Sequence, residues 1–160
     1  MYRAYRFLPL LILLSASCGT PRATGPAPCL KPSQHELVIR WGTEHDSAGT
    51  VEGYELDAKG ELYRFSGPKS PEPQREFVMM LEPMTYCSTA SDVQAVHLKV
   101  LALNVRGIRG RFIDYVNAPS NVYLRAVWNP DLQTFQSRDM RALYDRLMSL
   151  VPSDRRFTTP

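Results

Sequence analysis

Val51 to Phe65 reads Val-Glu-Gly-Tyr-Glu-Leu-Asp-Ala-Lys-Gly-Glu-Leu-Tyr-Arg-Phe, and the reading of this stretch decides the fold. Val51–Leu56 and Glu61–Phe65 are rich in β-formers and flank Asp57-Ala58-Lys59-Gly60. An Asp at the start of a turn bonds back onto its own backbone, and a Gly at its end supplies positive φ at no steric cost. The stretch therefore predicts a β-hairpin. Upstream, Leu37, Ile39 and Trp41 recur at every second position and share one face, which predicts a first strand over 37–41, and Gly42 to Gly49 reads as a polar loop. Downstream, Gly67 to Pro73 is a proline-rich loop, and Phe77, Met79 and Leu81 alternate again in a fourth strand that Pro83 ends.

The period then changes. Ser91-Asp92-Val93-Gln94 has the spacing of a capping box. Val93, Val96, His97, Val100, Leu101 and Asn104 follow at helical spacing, predicting a helix over 92–104 that Gly107 and Gly110 break. Phe112–Val116 and Val122–Trp128 predict a second hairpin around Ala118-Pro119-Ser120-Asn121. Ser137 caps a last helix whose apolar stripe includes Met140, Leu143, Tyr144, Leu147, Leu150 and Val151, and Pro152 ends it. The expected fold is α+β: a single antiparallel sheet of about six strands with two helices on one face, in the order ββββαββα. No glycine-rich βαβ alternation is present, which argues against a parallel nucleotide-binding sheet.

Composition agrees with one small domain. Of 160 residues 44% are apolar and 22% charged, which excludes wholesale disorder, a coiled coil and a collagen-like fibre. The one strongly apolar run lies in Met1–Ser17, MYRAYRFLPLLILLSAS. Arg3 and Arg6 precede the apolar residues Phe7 to Leu14, and small residues follow, which is the order of a secretory signal peptide. The run is too short for a helix that must cross a hydrocarbon core with about 20 residues.

Leu14-Ser15-Ala16-Ser17-Cys18-Gly19 resembles the lipobox of bacterial lipoproteins. The resemblance implies that the signal is cut before Cys18, whose thiol carries a diacylglycerol and whose new amino group is acylated. It covers about twenty residues, with Ser15 standing where Leu is commonest. A plain signal peptide cut near Ser17 or Gly19, releasing a soluble protein, is the alternative. The expected organisation is a signal peptide over 1–17, a lipidated N-terminus and Pro-rich tether over 18–34, and an α+β domain over 35–160. Loss of Arg3 and Arg6 takes 19 basic residues to 17 against 16 acidic ones, so the mature chain is nearly neutral and gives no support for nucleic-acid binding.

Cys29 and Cys87 remain after Cys18, an even pair that either forms a disulfide in an oxidising compartment or stays as a linker thiol and a buried thiol. His35, Glu36, His45 and Asp46 lack the spacing of a zinc motif, and no metal or cofactor is expected. His97 on the first helix reads as a core or boundary residue rather than a general base, since no partner nucleophile is recognisable. No nucleophile elbow, P-loop or S-x-x-K motif occurs, so no catalytic residue is assigned. Arg106, Arg109 and Arg111, with Arg125 on the following hairpin, form a candidate contact for an anionic partner; alternatively, the first three are solvated residues complementing a helix end.

The sequence thus predicts a bacterial envelope lipoprotein on the outer-membrane or periplasmic side, a non-catalytic binding or structural module for another envelope component. A small secreted or periplasmic ligand-binding or inhibitor protein, with Gly67–Pro73 as an exposed loop, is the alternative. An envelope hydrolase is the less expected third.

Overall fold

The computed structural model describes residues 25–100 and 102–157. The strand β1 (Val38–His45) pairs antiparallel with β2 (Thr50–Leu56), which turns through Asp57–Gly60 into β3 (Glu61–Pro68). Asp57 makes that turn as its sequence suggests: Oδ1 accepts from the amides of Lys59 and Glu61, both at 2.9 Å, and Gly60 takes φ 83°. The edge strand β4 (Arg75–Met80) follows, then the helix α1 (Pro83–Val100), β5 (Leu103–Val105), β6 (Arg109–Asn117), β7 (Val122–Trp128) and the helix α2 (Arg138–Leu150).

These strands make one seven-stranded sheet in the order β4-β3-β2-β1-β6-β7-β5. The class is α+β, but the expectation of about six antiparallel strands is corrected in two respects. There is a seventh strand, β5, and it pairs parallel with β7, Leu103 beside Ala126. It lies in a stretch whose period matched a helix through Asn104. The chain leaves α1 after Val100, runs along the sheet edge and crosses back to β6 through Arg106–Ile108, and β7 later inserts between the two. Gly107 permits the crossing, because a Cβ there would lie 2.5 Å from Asn129 Nδ2 at the end of β7.

The first helix is also longer than expected at its start. It begins at Pro83, where proline's fixed φ and missing N–H suit the first turn, so Ser91 lies within the helix and caps nothing. Ser88 and Thr89 turn their hydroxyls back to the Thr85 carbonyl at 3.0 and 2.8 Å, which lets this polar segment stay helical. The first strand likewise runs on to His45, through residues read as loop. Ser137 does precede α2, but its Oγ serves Thr134 and Arg141 rather than the helix amides.

Both helices cover one face of the sheet. Ile39, Trp41, Tyr54, Leu56, Leu62, Ile113, Tyr115, Ala126 and Trp128 point to that side and pack with Tyr86, Ala90 and Val93 of α1 and Met140, Leu143 and Leu147 of α2. Residues 25–34, expected as part of a tether, are docked against the domain. The amide of Ala27 donates to the Ala58 carbonyl at 2.8 Å, Leu30 packs on the core, and Cys29 is bonded to Cys87 in α1 with their Cα atoms 5.8 Å apart. The helix-free face of the sheet is left to the remaining side chains of every strand, and the candidate site lies there.

Candidate functional site

Strand register sorts the helix-free face into rows. Arg40 faces Glu55 on one neighbouring strand and Asp114 on the other, and Asp114 faces Arg125. Four adjacent strands therefore carry Glu55, Arg40, Asp114 and Arg125 side by side, with signs alternating, so each charge has opposite neighbours. The next row is Phe65, Gly53, Gly42, Phe112 and Val127. At its centre two glycines face each other because the strands approach closely: a Cβ on Gly42 would lie 2.1 Å from the Glu52 carbonyl oxygen, and one on Gly53 2.3 Å from that of Trp41. No side chain rises from the two glycines, which leaves a depression that the edge of the Phe65 ring enters, its Cζ 3.1 Å from where a Gly53 Cβ would lie. A third row brings Val51 opposite Glu44.

The loop between β3 and β4 overhangs this depression. Lys69 ties it down twice, its amide donating to the Gly49 carbonyl at 2.9 Å and its ammonium reaching Asp46 at 2.5 Å and Glu44 at 3.4 Å. The result is a cavity of about 380 Å³, with Phe65, Phe112 and Val51 as an apolar floor and charged walls. That volume falls in the range of small-molecule sites, roughly 300–1,000 Å³.

The charges are held in a network. Arg40 donates to Glu55 at 2.6 Å and pairs with Glu72 of the overhanging loop at 2.5 Å, and Arg75 of β4 also bonds Glu55. Arg125 lies over the Phe112 ring, 4.9 Å from its centroid, and donates to two acids: Asp114 Oδ2 at 2.7 Å and Glu44 Oε2 at 2.9 Å. Burial opposes the charge on Arg125, yet Asp114 and Glu44 outweigh it and its pKa is raised. Glu44, Glu55 and Asp114 are 4%, 1% and 5% exposed. Burial pushes the Asp114 carboxyl up to about 6, against the pull of Arg125 and Arg40 and with some help from Glu44. One oxygen of each of two acids, Glu44 Oε1 and Asp114 Oδ1, is buried without a hydrogen-bond partner.

The arginines marked in the sequence do not converge. Arg125 belongs to this network on the helix-free face. Arg109 and Arg111 alternate onto the opposite face, one bonded to Asp131 at 3.0 Å and the other stacked 4.7 Å from the centroid of the Tyr144 ring. With His45 they line a smaller cavity of about 140 Å³ beside α2. Arg106 is exposed and donates to Asn104 at 3.1 Å. The expectation of one four-arginine surface is thus corrected: the sheet separates Arg125 from Arg109 and Arg111. Nor do the first three share one loop after a helix: Arg106 lies in the connection from β5 to β6, and Arg109 and Arg111 are residues of β6.

His97 is buried on α1 with Nε2 unpartnered, and burial lowers its pKa to about 4, in keeping with a core residue. His35 and Glu36 meet at 3.7 Å on the surface, and among the described residues no three His, Cys, Asp or Glu side chains cluster as metal ligands. Cys18 and the leader lie outside the described residues. Among those residues no helix is long and apolar enough to cross a membrane. Sequence reasoning singled out Arg125, and His45 and Asp46 next to Glu44, but it missed Arg40, Glu44, Glu55 and Asp114. The available signal was Arg40 and Glu55 at alternating strand positions, where a charge on a sheet with one covered face needs a partner. Compared with protein-family models and with curated proteins, the chain matches none.

Proposed function

We propose that the chain is a lipoprotein of the bacterial cell envelope, lipidated at Cys18, whose domain is a non-catalytic binding module with its site in the cavity on the helix-free sheet face. The observation that carries the binding role is that cavity of about 380 Å³, floored by aromatic rings and walled by three nearly buried carboxylates. A sheet face that only needed solvation would have no reason to roof charged residues with a loop. Desolvating ion pairs costs stability that hydrophobic packing would not. The lipobox-like residues around Cys18 and the Cys29–Cys87 bond both suit an extracytoplasmic compartment. Two or three acyl chains hold a protein firmly to a bilayer, since each buried methylene contributes ~0.8 kcal/mol.

One observation speaks for a hydrolase instead: Asp114, with its raised pKa, lies in a cavity beside a second acid, the pattern of a general acid with a base. Arg125 weighs against it. Its two nitrogens hold Asp114 and Glu44 at once, an arrangement that fixes both carboxyls in place and leaves neither free to swing toward a substrate.

Two measurements test the proposal. Cells expressing the chain are labelled with a palmitate analogue, which should mark the protein and be lost in Cys18→Ser; label surviving that change removes the anchor. The protein is then purified from envelopes and weighed by native mass spectrometry. A co-purifying small molecule should be present and should be lost in Val51→Trp, which fills the cavity. Protein that carries nothing, or carries the same molecule in the variant, removes the binding site.

A further inference from the structure

We propose that the cavity recognises an organic cation, a primary ammonium group on a short apolar arm; the inference rests on the cavity being a ligand site. Two side chains carry it. Glu44 and Asp114 are more than nine-tenths buried, both line the cavity, and each presents one oxygen to Arg125 while Glu44 Oε1 and Asp114 Oδ1 have no partner. A buried acceptor left unpaired costs stability, more so when charged, so these two oxygens are preset for donors that arrive with a ligand. The arginines in the walls are already committed: Arg40 and Arg75 to Glu55, and Arg125 to Asp114 and Glu44. An entering anion would find none of those guanidiniums free, whereas an entering ammonium finds free carboxylate oxygens.

The molecule's own lysine marks the path. Lys69 is carried by the overhanging loop, not by the sheet, and its ammonium lies between Glu44 and Asp46 at the cavity's edge. A lysine head is a primary ammonium on an aliphatic arm, so the loop supplies an internal copy of the ligand class, and a ligand ammonium competes with it for Glu44. The apolar arm lies against Phe65, Phe112 and Val51, the apolar side chains that line the cavity beside the facing glycines. A bare divalent ion is disfavoured because Arg125 sits between the two acids and because no third acid, His or Cys joins them among the described residues.

The test titrates the full chain in detergent with butylammonium, butyrate and butan-1-ol, followed by amide chemical shifts at Gly53 and Gly110. Butylammonium should bind saturably and the other two should not. Glu44→Gln should weaken it at least about tenfold, the worth of one charge-assisted hydrogen bond. Lys69→Ala, which keeps the loop's backbone tie to the Gly49 carbonyl, should tighten it, because the competing ammonium is gone. Butyrate binding as well as butylammonium overturns the cation class and leaves the cavity as a site. Butylammonium binding that ignores both Glu44→Gln and Lys69→Ala overturns the assignment to this cavity. If no probe binds, the molecule that co-purifies from envelopes decides: one without a basic nitrogen overturns the cation class alone, and finding no such molecule overturns the binding function with it.

Discussion

At the scale of single residues, two buried ionisable groups pull against each other. Burial raises the Asp114 carboxyl to about 6, with Arg125 of β7 and Arg40 of β1 facing it as cations and Glu44 of β1 as an anion. Burial lowers His97 to about 4. The consequences for stability have opposite signs. Between about pH 4 and 6 the native Asp114 holds a proton that the unfolded chain has lost, so its contribution falls as pH rises through that window. In the same window the unfolded chain protonates its histidine while the native one stays neutral, so the His97 contribution rises with pH. Each slope is at most about 1.4 kcal/mol per pH unit, so the two largely cancel. Replacing either residue uncovers the other. Asp114→Asn should lose stability on acidification from about pH 6 to 4, and His97→Leu should gain it, in thermal melts across that range. Parallel pH profiles for both variants would show that these groups do not titrate as described.

At the scale of elements, the disulfide joins two segments that local sequence did not relate. Cys29 lies in a proline-rich stretch and Cys87 in the opening turns of a helix that the sequence predicts only from residue 92, and nothing in the spacing pairs them. The bond closes a loop spanning 58 positions and fixes residues 25–34 to α1. Removing it in Cys29→Ser/Cys87→Ser should cost roughly 4 kcal/mol by loop-closure entropy. It should also open the chain near Leu30 to proteases well before the sheet unfolds, as limited digestion with and without the substitutions would reveal. Legibility follows the range of the interaction that makes each element. The Val51–Phe65 hairpin was readable because its turn bonds are made within five residues, Asp57 to Glu61. The stripe of α2 was readable because Met140, Leu143, Tyr144 and Leu147 carry the helical period themselves. The start of α1 was not, because Tyr86 and Ala90 alone mark its buried face before Val93. The strand β5 was not readable either: only β7, which follows it in the chain, makes it a strand. The site was legible only in fragments, since Arg40, Asp114 and Arg125 become neighbours through register across strands far apart in sequence.

At the scale of the whole molecule, the sheet has two unlike ends. The docked segment, through Ala27 on the Ala58 carbonyl and Ser33 accepting from Ser120, lies at the end formed by the β2–β3 and β6–β7 turns. The overhanging loop is tied to Gly49 and Asp46 in the β1–β2 turn, at the other end of β2. A strand of seven residues places these ends ~20 Å apart. If Cys18 carries lipid, the chain from it to Ala27 spans nine residue steps and reaches at most about 30 Å. The docked end is then the tethered one, and with that end turned to the bilayer the cavity's edge at Lys69 points away from it. This orientation suits a module that takes its ligand from the aqueous space and not from the lipid phase. A fluorophore on Lys59→Cys, in the β2–β3 turn, should be quenched by nitroxide headgroups when the lipidated protein is reconstituted in vesicles. The same fluorophore on Ser47→Cys, in the β1–β2 turn, should be quenched far less. Equal quenching at both positions would mean that the docked segment does not set the orientation, and stronger quenching at Ser47→Cys would turn the cavity toward the membrane and make a lipid headgroup amine its natural occupant.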